Sequence, residues 1–443
     1  MMTHLEQQFV SQLQSLVDDA PRRRYLLAVS GGRDSSVLAH LFHQHHLDFA
    51  LAHCNFHLRG TESDRDEQFV RTLAEKYDKP LFVKQFDTLK VQKASGRSVE
   101  MVARDLRYAW FVELAADYDY IVTAHHANDN VETLIMNLLR GTGLKGLTGI
   151  PAKNGQILRP LLPFTAEEIE EYAQEKHLSY CIDQTNFSNQ YQRNKIRWEV
   201  LPKLQEMNPK IVATLCQNIA HLKQQYSFYH SEIQKVLNNL VFKSSDYFLI
   251  SIDRLLEEKH AKLLLYEWLN PMGFTEDTVQ KVYVGLRGRS GVVFSSPTHE
   301  LLKDRNFLIL RERPTHPEAP IFCQNMAELE RQGFSVSRHP ISEPPTFTRN
   351  ADVLFVDAEK LHFPLTLRHW RAGDAFQPLG MSGWQKLSDL FNNAKVNRFD
   401  KERILILCSE NQIVWVVGHR ADDRFKIDET TPYYYKITYH GRD

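Results

Sequence analysis

Between residues 25 and 180, short apolar runs alternate with longer segments of helical spacing, and that alternation leaves few folds open. YLLAVS (25–30), FALAHCNF (49–56), LFVKQF (81–86) and YIVTAHH (120–126) have the length and the β-branched or aromatic content of strands. Between and beyond them, 34–46, 62–78, 98–117 and 127–139 repeat apolar residues at helical intervals. Alternation at this pitch builds βαβ units, and therefore a parallel sheet with helices on its faces. Ligands of such sheets sit at the carboxyl ends of the strands. Three of the strands run directly into polar clusters, SGGRDS, HCNFHLR and AHHANDN. The expectation is an α/β N-terminal domain with a site along one sheet edge.

Further along, the pattern turns helical from about 191 to 240 and again at 253–288, then gives way to short strands such as GVVFSS and NFLILRER. PTHPEAP (314–320) carries three prolines in seven residues and reads as a linker or stiff loop. FPLTLRHW, RILILCS and QIVWVVGHR follow as strands. The chain therefore divides into an α/β domain at 1–204, a mostly helical domain at 205–313, a linker region at 314–350 and a small β-rich domain at 351–443.

Charge and cysteine content narrow the function. Lys plus Arg number 54 against 55 Asp plus Glu, a net charge of −1. Binding of polyanions by bulk charge is excluded, so any nucleic acid must be met by a few placed cations. The five cysteines form no CxxC pair, which fits reduced thiols and gives no zinc ribbon or disulfide framework. The N-terminus lacks the unbroken apolar core of a signal peptide, and no apolar run approaches the ~18 residues of a membrane span. A soluble, cytoplasmic protein without a membrane partner is expected.

Ser30-Gly31-Gly32-Arg33-Asp34-Ser35 closes the first strand and opens an amphipathic helix. Glycines let the backbone approach an anion, the serines add hydroxyl donors, and a helix N-terminus offers unpaired N–H groups. This is a phosphate site without the Walker pattern. Arg104 and Arg107 are i,i+3 neighbours on a helix. His125, Asp129 and Glu132 are spaced along one helical face; without a third nitrogen or sulfur ligand they suit Mg²⁺ or hydrogen bonding better than zinc. Gly141, Gly143 and Gly146 spell GxGxxG but follow a helix instead of a strand, so a dinucleotide site is rejected.

SGGxDS in this position resembles the loop of the PP-loop ATP pyrophosphatases, which cleave ATP between the α- and β-phosphates. The full ordered set is similar to the tRNA(Ile)-lysidine synthetase family. It includes His53 to Arg59, Glu100-x-x-Ala103-Arg104-x-x-Arg107-Tyr108, Ala124 to Thr133, Arg140 to Leu147 and Arg159-Pro160-Leu161-Leu162. Asp183-x-Thr185-Asn186, Arg193-Asn194-x-Ile196-Arg197, Trp370 to Met381 and Lys386 to Asp389 complete it. The resemblance spans about 24 to 426 and is weakest at 205–350. Phe56 stands where the family usually has His, with His57 one residue later, and Asn130 stands where Gln is common; a contact made by that amide should be weaker or differently aimed.

The resemblance implies ATP and Mg²⁺ as cofactors, with L-lysine and a tRNA(Ile) of anticodon CAU as partners. The reaction adenylylates C2 of the wobble cytidine and lets the lysine amine displace AMP, giving lysidine. Ser30, Gly31, Gly32, Arg33, Asp34, Ser35 and His53 are expected at ATP, with Asp34 on the metal. Arg104, first, or Arg107 would stabilise charge on the α-phosphate. Asp129 and Glu132 would hold lysine or a second Mg²⁺, and His125, with an ordinary pKa of about 6.5, would take the amine proton. Arg193, Lys195, Arg197 and Lys203 beside Tyr191 and Trp198, and Arg371 and Lys386 in the last domain, would grip tRNA. A homodimer is compatible with the sequence, which shows no interface. Another PP-loop tRNA-modifying enzyme and a non-catalytic nucleotide- and RNA-binding scaffold are the rivals; the missing CxxC pair disfavours sulfur chemistry, and the intact loop disfavours a scaffold.

Overall fold

The structure, a computed structural model, describes residues 2–58, 60–181, 192–244, 246–314, 319–348 and 350–441, with the Glu100 side chain left aside. Arg59, Asp183, Thr185, Asn186 and Tyr191 of the motifs above lie outside the described residues. The chain forms two compact units, Met1–Ser231 and Glu232–Asp443.

In the first unit, α1 (His4–Leu16) precedes β1 (Arg24–Ala28), α2 (Arg33–Gln44), β2 (Asp48–Asn55), α3 (Thr61–Tyr77) and β3 (Leu81–Gln85). There follow α4 (Thr88–Ser95), α5 (Val99–Leu114), β4 (Tyr120–Val122), α6 (Ala127–Arg140), β5 (Lys153–Asn154), β6 (Ile157–Leu158) and α7 (Ala166–Glu175). The sheet order is β3-β2-β1-β4-β6-β5, parallel throughout except for the short β5–β6 hairpin. Alternation along the strands explains the two cores. Tyr25, Leu27, Phe49 and Leu51 pack against α1, α2, α3 and α7, while Leu26, Ala50 and Ala52 face Trp110 and Phe111 of α5. Burial on both faces is what near-continuous apolar strands require.

After α7 come α8 (Gln192–Lys195), a π-helical turn at Ile196–Val200, α9 (Leu201–Met207) and α10 (Ile211–Leu240). Ile196, Leu201 and Val212 share a core with Ala127 and Val131 of α6, so this helical stretch packs on the parallel-sheet domain. Asn130, the shortened amide, accepts from the Ile150 N–H at 2.7 Å and so pins the 149–150 turn to α6.

The second unit begins with a hairpin, β7 (Val241–Ser244) and β8 (Tyr247–Ser251), then α11 (Ile252–Glu257), α12 (Ala261–Leu269), α13 (Glu276–Gly285), β9 (Val292–Ser295), β10 (His299–Asp304) and β11 (Phe307–Glu312). The expected helices are thus joined by a five-stranded antiparallel sheet, β7-β8-β11-β10-β9. Next come β12 (Ile321–Cys323), α14 (Met326–Glu330), β13 (Phe334–Pro340), β14 (Val353–Asp357), β15 (Leu365–His369), β16 (Ala375–Phe376), β17 (Gln385–Lys386) and α15 (Leu387–Asn393). α16 (Arg398–Arg403), β18 (Leu405–Ser409), β19 (Gln412–Val416), β20 (Arg420–Ala421) and β21 (Tyr433–Tyr439) complete the chain.

Their sheets are β12-β15-β18-β19-β20, β13-β21-β14 and the β16-β17 pair. The reading of 314–350 as a linker is corrected: β12 and β13 lie inside it and pair with β15 and β21, which a proline-based reading of the adjoining loop could not foresee. Phe399 of α16 is fully buried with Tyr247, Leu302 and Ile309, under the Arg311 guanidinium at 3.8 Å, so α16 and the five-stranded sheet share one core. Among the described residues, no helix is long and apolar enough to cross a membrane.

Gly149 lies at φ +65, and a Cβ there would meet the Asn130 Oδ1 at 2.1 Å. Gly149→Ala is expected to lower stability by about 1–3 kcal/mol in urea unfolding, from backbone strain and the clash together.

Candidate active site at the carboxyl edge of the parallel sheet

The SGGRDS loop leaves β1 between β2 and β4, at the centre of the sheet edge. Gly31 needs its glycine: φ is +93, a conformation L side chains avoid. The Ser30 hydroxyl stands 3.2 Å from that of Ser35 and accepts from the Gly32 N–H at 3.3 Å, and Ser35 Oγ donates to the Gly32 carbonyl at 2.9 Å. Gly32 caps α2 without a side chain, which leaves the first N–H groups of the helix to an anion. The expected phosphate cradle, from Ser30 through Ser35, is therefore one continuous turn.

Asp34 is the acid of this turn. Its Oδ1 lies 3.0 Å from Arg33 Nε and its Oδ2 3.5 Å from His126 Nε2. Burial pushes its pKa up, but the His126 contact and charge, with Arg33, prevail and hold it at about 2. Arg33 is itself tied to Glu170 of α7 at 2.9 Å. His126 also reaches Asp129 Oδ2 at 3.6 Å, and its backbone N–H donates to the same carboxylate at 3.0 Å. Desolvation lowers the His126 pKa; the Asp129 and Asp34 carboxylates overcome that and raise it.

The stripe expected of His125, Asp129 and Glu132 is only partly formed. α6 starts at Ala127, so His125 precedes the helix and does not share its face. Burial lowers its pKa to about 4, and its Nδ1 sits 2.9 Å from the Thr123 hydroxyl. The ordinary pKa expected of a general base is thus corrected: His125 is neutral and weakly basic. Asp129 and Glu132 do share a face, and both meet the arginines assigned above to tRNA. Arg193 Nε donates to Glu132 Oε2 at 2.6 Å and Arg193 NH2 to Asp129 Oδ1 at 2.9 Å. Arg197 Nε donates to Glu132 Oε1 at 2.6 Å, and its NH2 to Asp129 Oδ1 at 3.3 Å.

Glu132 is 0% exposed, with both oxygens occupied. In this network the arginines expected at tRNA are paired with the two acids expected at lysine or a second Mg²⁺. Lys195 and Lys203, from the same segment, are exposed.

Among the described residues, no three His, Cys, Asp or Glu side chains form a ready metal cage. Mg²⁺ is commonly held by one or two carboxylates plus substrate phosphates. The ionised Asp34 at the mouth of the cradle suits an ion that arrives with a nucleotide.

The flanking motifs brace the edge. His53 is buried, and its Nδ1–H donates to the Val29 carbonyl at 2.8 Å, steadying the strand end that feeds Ser30. Asn55 Nδ2 donates to Glu67 Oε2 at 3.0 Å, and Asn55 Oδ1 accepts from the His57 N–H at 3.0 Å. Glu67 and Glu170 were not singled out from the sequence, and His126, inside the AHHANDN motif, was given no role there. Of the two arginines on α5, Arg104 is exposed and rests over Tyr108 at 5.0 Å, whereas Arg107 is half-buried over Phe56 at 5.3 Å. Arg107 charge also lowers the His125 and Cys54 pKa values, on β4's end and on β2. Resting over Phe56, Arg107 stands just past the carboxyl end of β2, the strand next to the one that carries the loop.

In the second unit, Arg371 and Lys386 are exposed near the β16–β17 pair, and Arg368 is instead committed to Asp374 at 2.8 and 2.9 Å.

Glu132→Ala leaves two guanidinium groups against Asp129 alone, and a loss of about 3 kcal/mol is expected in thermal or urea unfolding. Glu67 gives the pH dependence. Burial raises its pKa, but bonds from Asn55, Arg71 and Gln85 bring it down from 4.5 to about 2. A lowered folded-state pKa stabilises above the unfolded value and is lost as pH falls through the folded one. Glu67→Gln should therefore flatten the fall in Tm between about pH 5 and pH 2, compared with the parent chain.

Three family models match the chain: a PP-loop domain over residues 5–204, a TilS substrate binding domain over 243–313 and a TilS substrate C-terminal domain over 365–436. A tRNA(Ile)-lysidine synthase of Parabacteroides distasonis is 39% identical over 437 residues, 97% of this chain and 98% of that protein. Its namesake from Bacteroides thetaiotaomicron is 38% identical over 413 residues, covering 93% and 94%. That from Caldanaerobacter subterraneus is 30% identical over 428 residues, covering 92% of each. With the loop and the acid at its mouth inside the matched PP-loop region, and relatives of 30–39% identity aligned over nearly the whole chain, the chain belongs to the tRNA(Ile)-lysidine synthase family.

Proposed function

We propose that the protein is an ATP-dependent ligase that joins L-lysine to C2 of the wobble cytidine in tRNA(Ile) bearing CAU. The observation that carries this reading is the cradle formed by Ser30 to Ser35 with ionised Asp34 at its mouth, in a chain related over nearly its full length to proteins of that name. In the first step the C2 oxygen of the cytidine attacks the α-phosphorus and pyrophosphate leaves. In the second, the lysine side-chain amine attacks C2, loses a proton, and AMP departs with the oxygen.

Each residue of the edge has a part in this. The N–H groups at the start of α2 and the Ser30 and Ser35 hydroxyls hold phosphate oxygens. Asp34 would hold the Mg²⁺ that accompanies the nucleotide, whose charge eases pyrophosphate departure. Arg107 offers a cation to the charge that builds on the α-phosphate, the contribution that dominates phosphoryl-type transfers. Asp129, which keeps a little exposed surface, is assigned to the amine substrate, and Glu132, which keeps none, anchors Arg193 and Arg197. His125 is neutral and can relay a proton without holding it. Cytidine must leave its stack to expose C2. Lys195, Arg371 and Lys386 are assigned to the RNA backbone, where each supplies affinity and salt dependence.

The test is transfer of radiolabelled lysine to an in-vitro-transcribed tRNA(Ile) bearing CAU, with ATP and Mg²⁺. Label on the RNA is expected, reduced at least a hundredfold in Asp34→Ala and lost when the wobble cytidine is changed. Pyrophosphate release that needs a different donor would retain ATP chemistry and discard lysine.

A further inference from the structure

The ring that carries Arg107 belongs to a closed circuit of contacts. Arg107 and Trp110 sit three residues apart on α5, so they project from neighbouring positions of one face. Trp110 meets the edge of Phe86 at 6.3 Å and 75°, Phe86 stacks on Phe56 at 5.4 Å and 19°, and the Phe56 face lies under the Arg107 guanidinium at 5.3 Å. The backbone at Phe56 is fixed as well: its carbonyl accepts from the Thr88 hydroxyl at 3.1 Å. Phe86 N–H donates to the Asn55 carbonyl at 2.8 Å. Two aromatic side chains just past the ends of β2 and β3 thus form a rigid shelf on which a cation of α5 rests.

The choice of a ring has a chemical consequence. Among the described residues Arg107 forms no ion pair, in contrast to Arg193 and Arg197, which are spent on Asp129 and Glu132. A carboxylate support would neutralise the guanidinium; a ring face orients it through its quadrupole and leaves the full charge for an anion in front.

We propose that Phe56 is a positioning residue for the adenylylation step, holding Arg107 over the strand edge with its charge unspent. This rests on the function proposed above. The support acts on charge that develops after ATP has bound, so it affects turnover more than ATP affinity.

The experiment compares Phe56→Leu, Phe56→Tyr and Phe56→His in the full chain. Steady-state pyrophosphate release is measured with ATP, lysine and the tRNA transcript, alongside the rate of phenylglyoxal modification at Arg107 read by peptide mass spectrometry. Phe56→Leu should lower kcat about tenfold with KM for ATP within twofold, and Arg107 should react several-fold faster. Phe56→Tyr should keep both within twofold of the parent. Phe56→His supplies a second line that does not depend on Leu being tolerated. Among the described residues, the charged groups around this ring are Arg107 from α5, Lys84 from β3 (paired with Glu113), and His57, Asp64 and Asp87 from the adjoining segments. An imidazolium here would repel Arg107, so an acid limb near pH 6–7 should appear in kcat that the parent and Phe56→Leu lack.

Parent-like kcat and Arg107 reactivity in Phe56→Leu, equal losses in Leu and Tyr, or a His profile without the new limb would each overturn the proposal. A parent chain that makes no lysidine while Arg107 reactivity still follows the ring would overturn the proposed function and leave the positioning role of Phe56 intact.

Discussion

His126 stands between two carboxylates, Asp34 of the phosphate loop and Asp129 of α6, at 3.5 and 3.6 Å. Remove that imidazole and two acids face each other at a sheet edge that must also receive polyphosphate. With it in place, an imidazole whose pKa the two acids raise separates them, and a chain of contacts runs from the loop through Asp129 to Arg193, Arg197 and buried Glu132. The same chain fastens the π-helical turn at Ile196–Val200 to α6, and turns of that kind recur at functional sites. Nucleotide chemistry and the helical stretch after it are therefore held by one electrostatic network.

Neutralisation is distributed unevenly, and the unevenness organises the site. Arg33, Arg193, Arg197 and Arg368 are each committed to carboxylates, so they shape the protein. Arg107 rests on an aromatic face and Lys195, Arg371 and Lys386 are exposed, so their charge remains for ligands. A chain of nearly zero net charge can serve a polyanionic substrate in this way, through cations kept apart from the acids.

The parts legible in the sequence were those set by neighbours in the chain. Strand–helix alternation foretold the parallel sheet, glycines foretold the loop, and a helix in front of Gly141 ruled out a dinucleotide fold. What escaped depends on partners far along the chain. Arg193 and Arg197 look like a solvated basic face until Asp129 and Glu132, more than 60 residues earlier, are brought beside them. His125 and His126 are adjacent and chemically alike; only the start of α6 at Ala127 decides that His126 turns toward Asp34. Strand β12 stayed hidden because it has three residues, and β13 because its partner β21 lies about 100 residues away.

The central chemical claim is that the nucleotide activates the RNA base and not the amino acid. Incubating the chain with α-phosphate-labelled ATP and the CAU transcript, without lysine, tests it most directly. The account predicts labelled AMP attached to the tRNA, discharged when lysine is added. Label that appears only with lysine present, and on lysine itself, would contradict it.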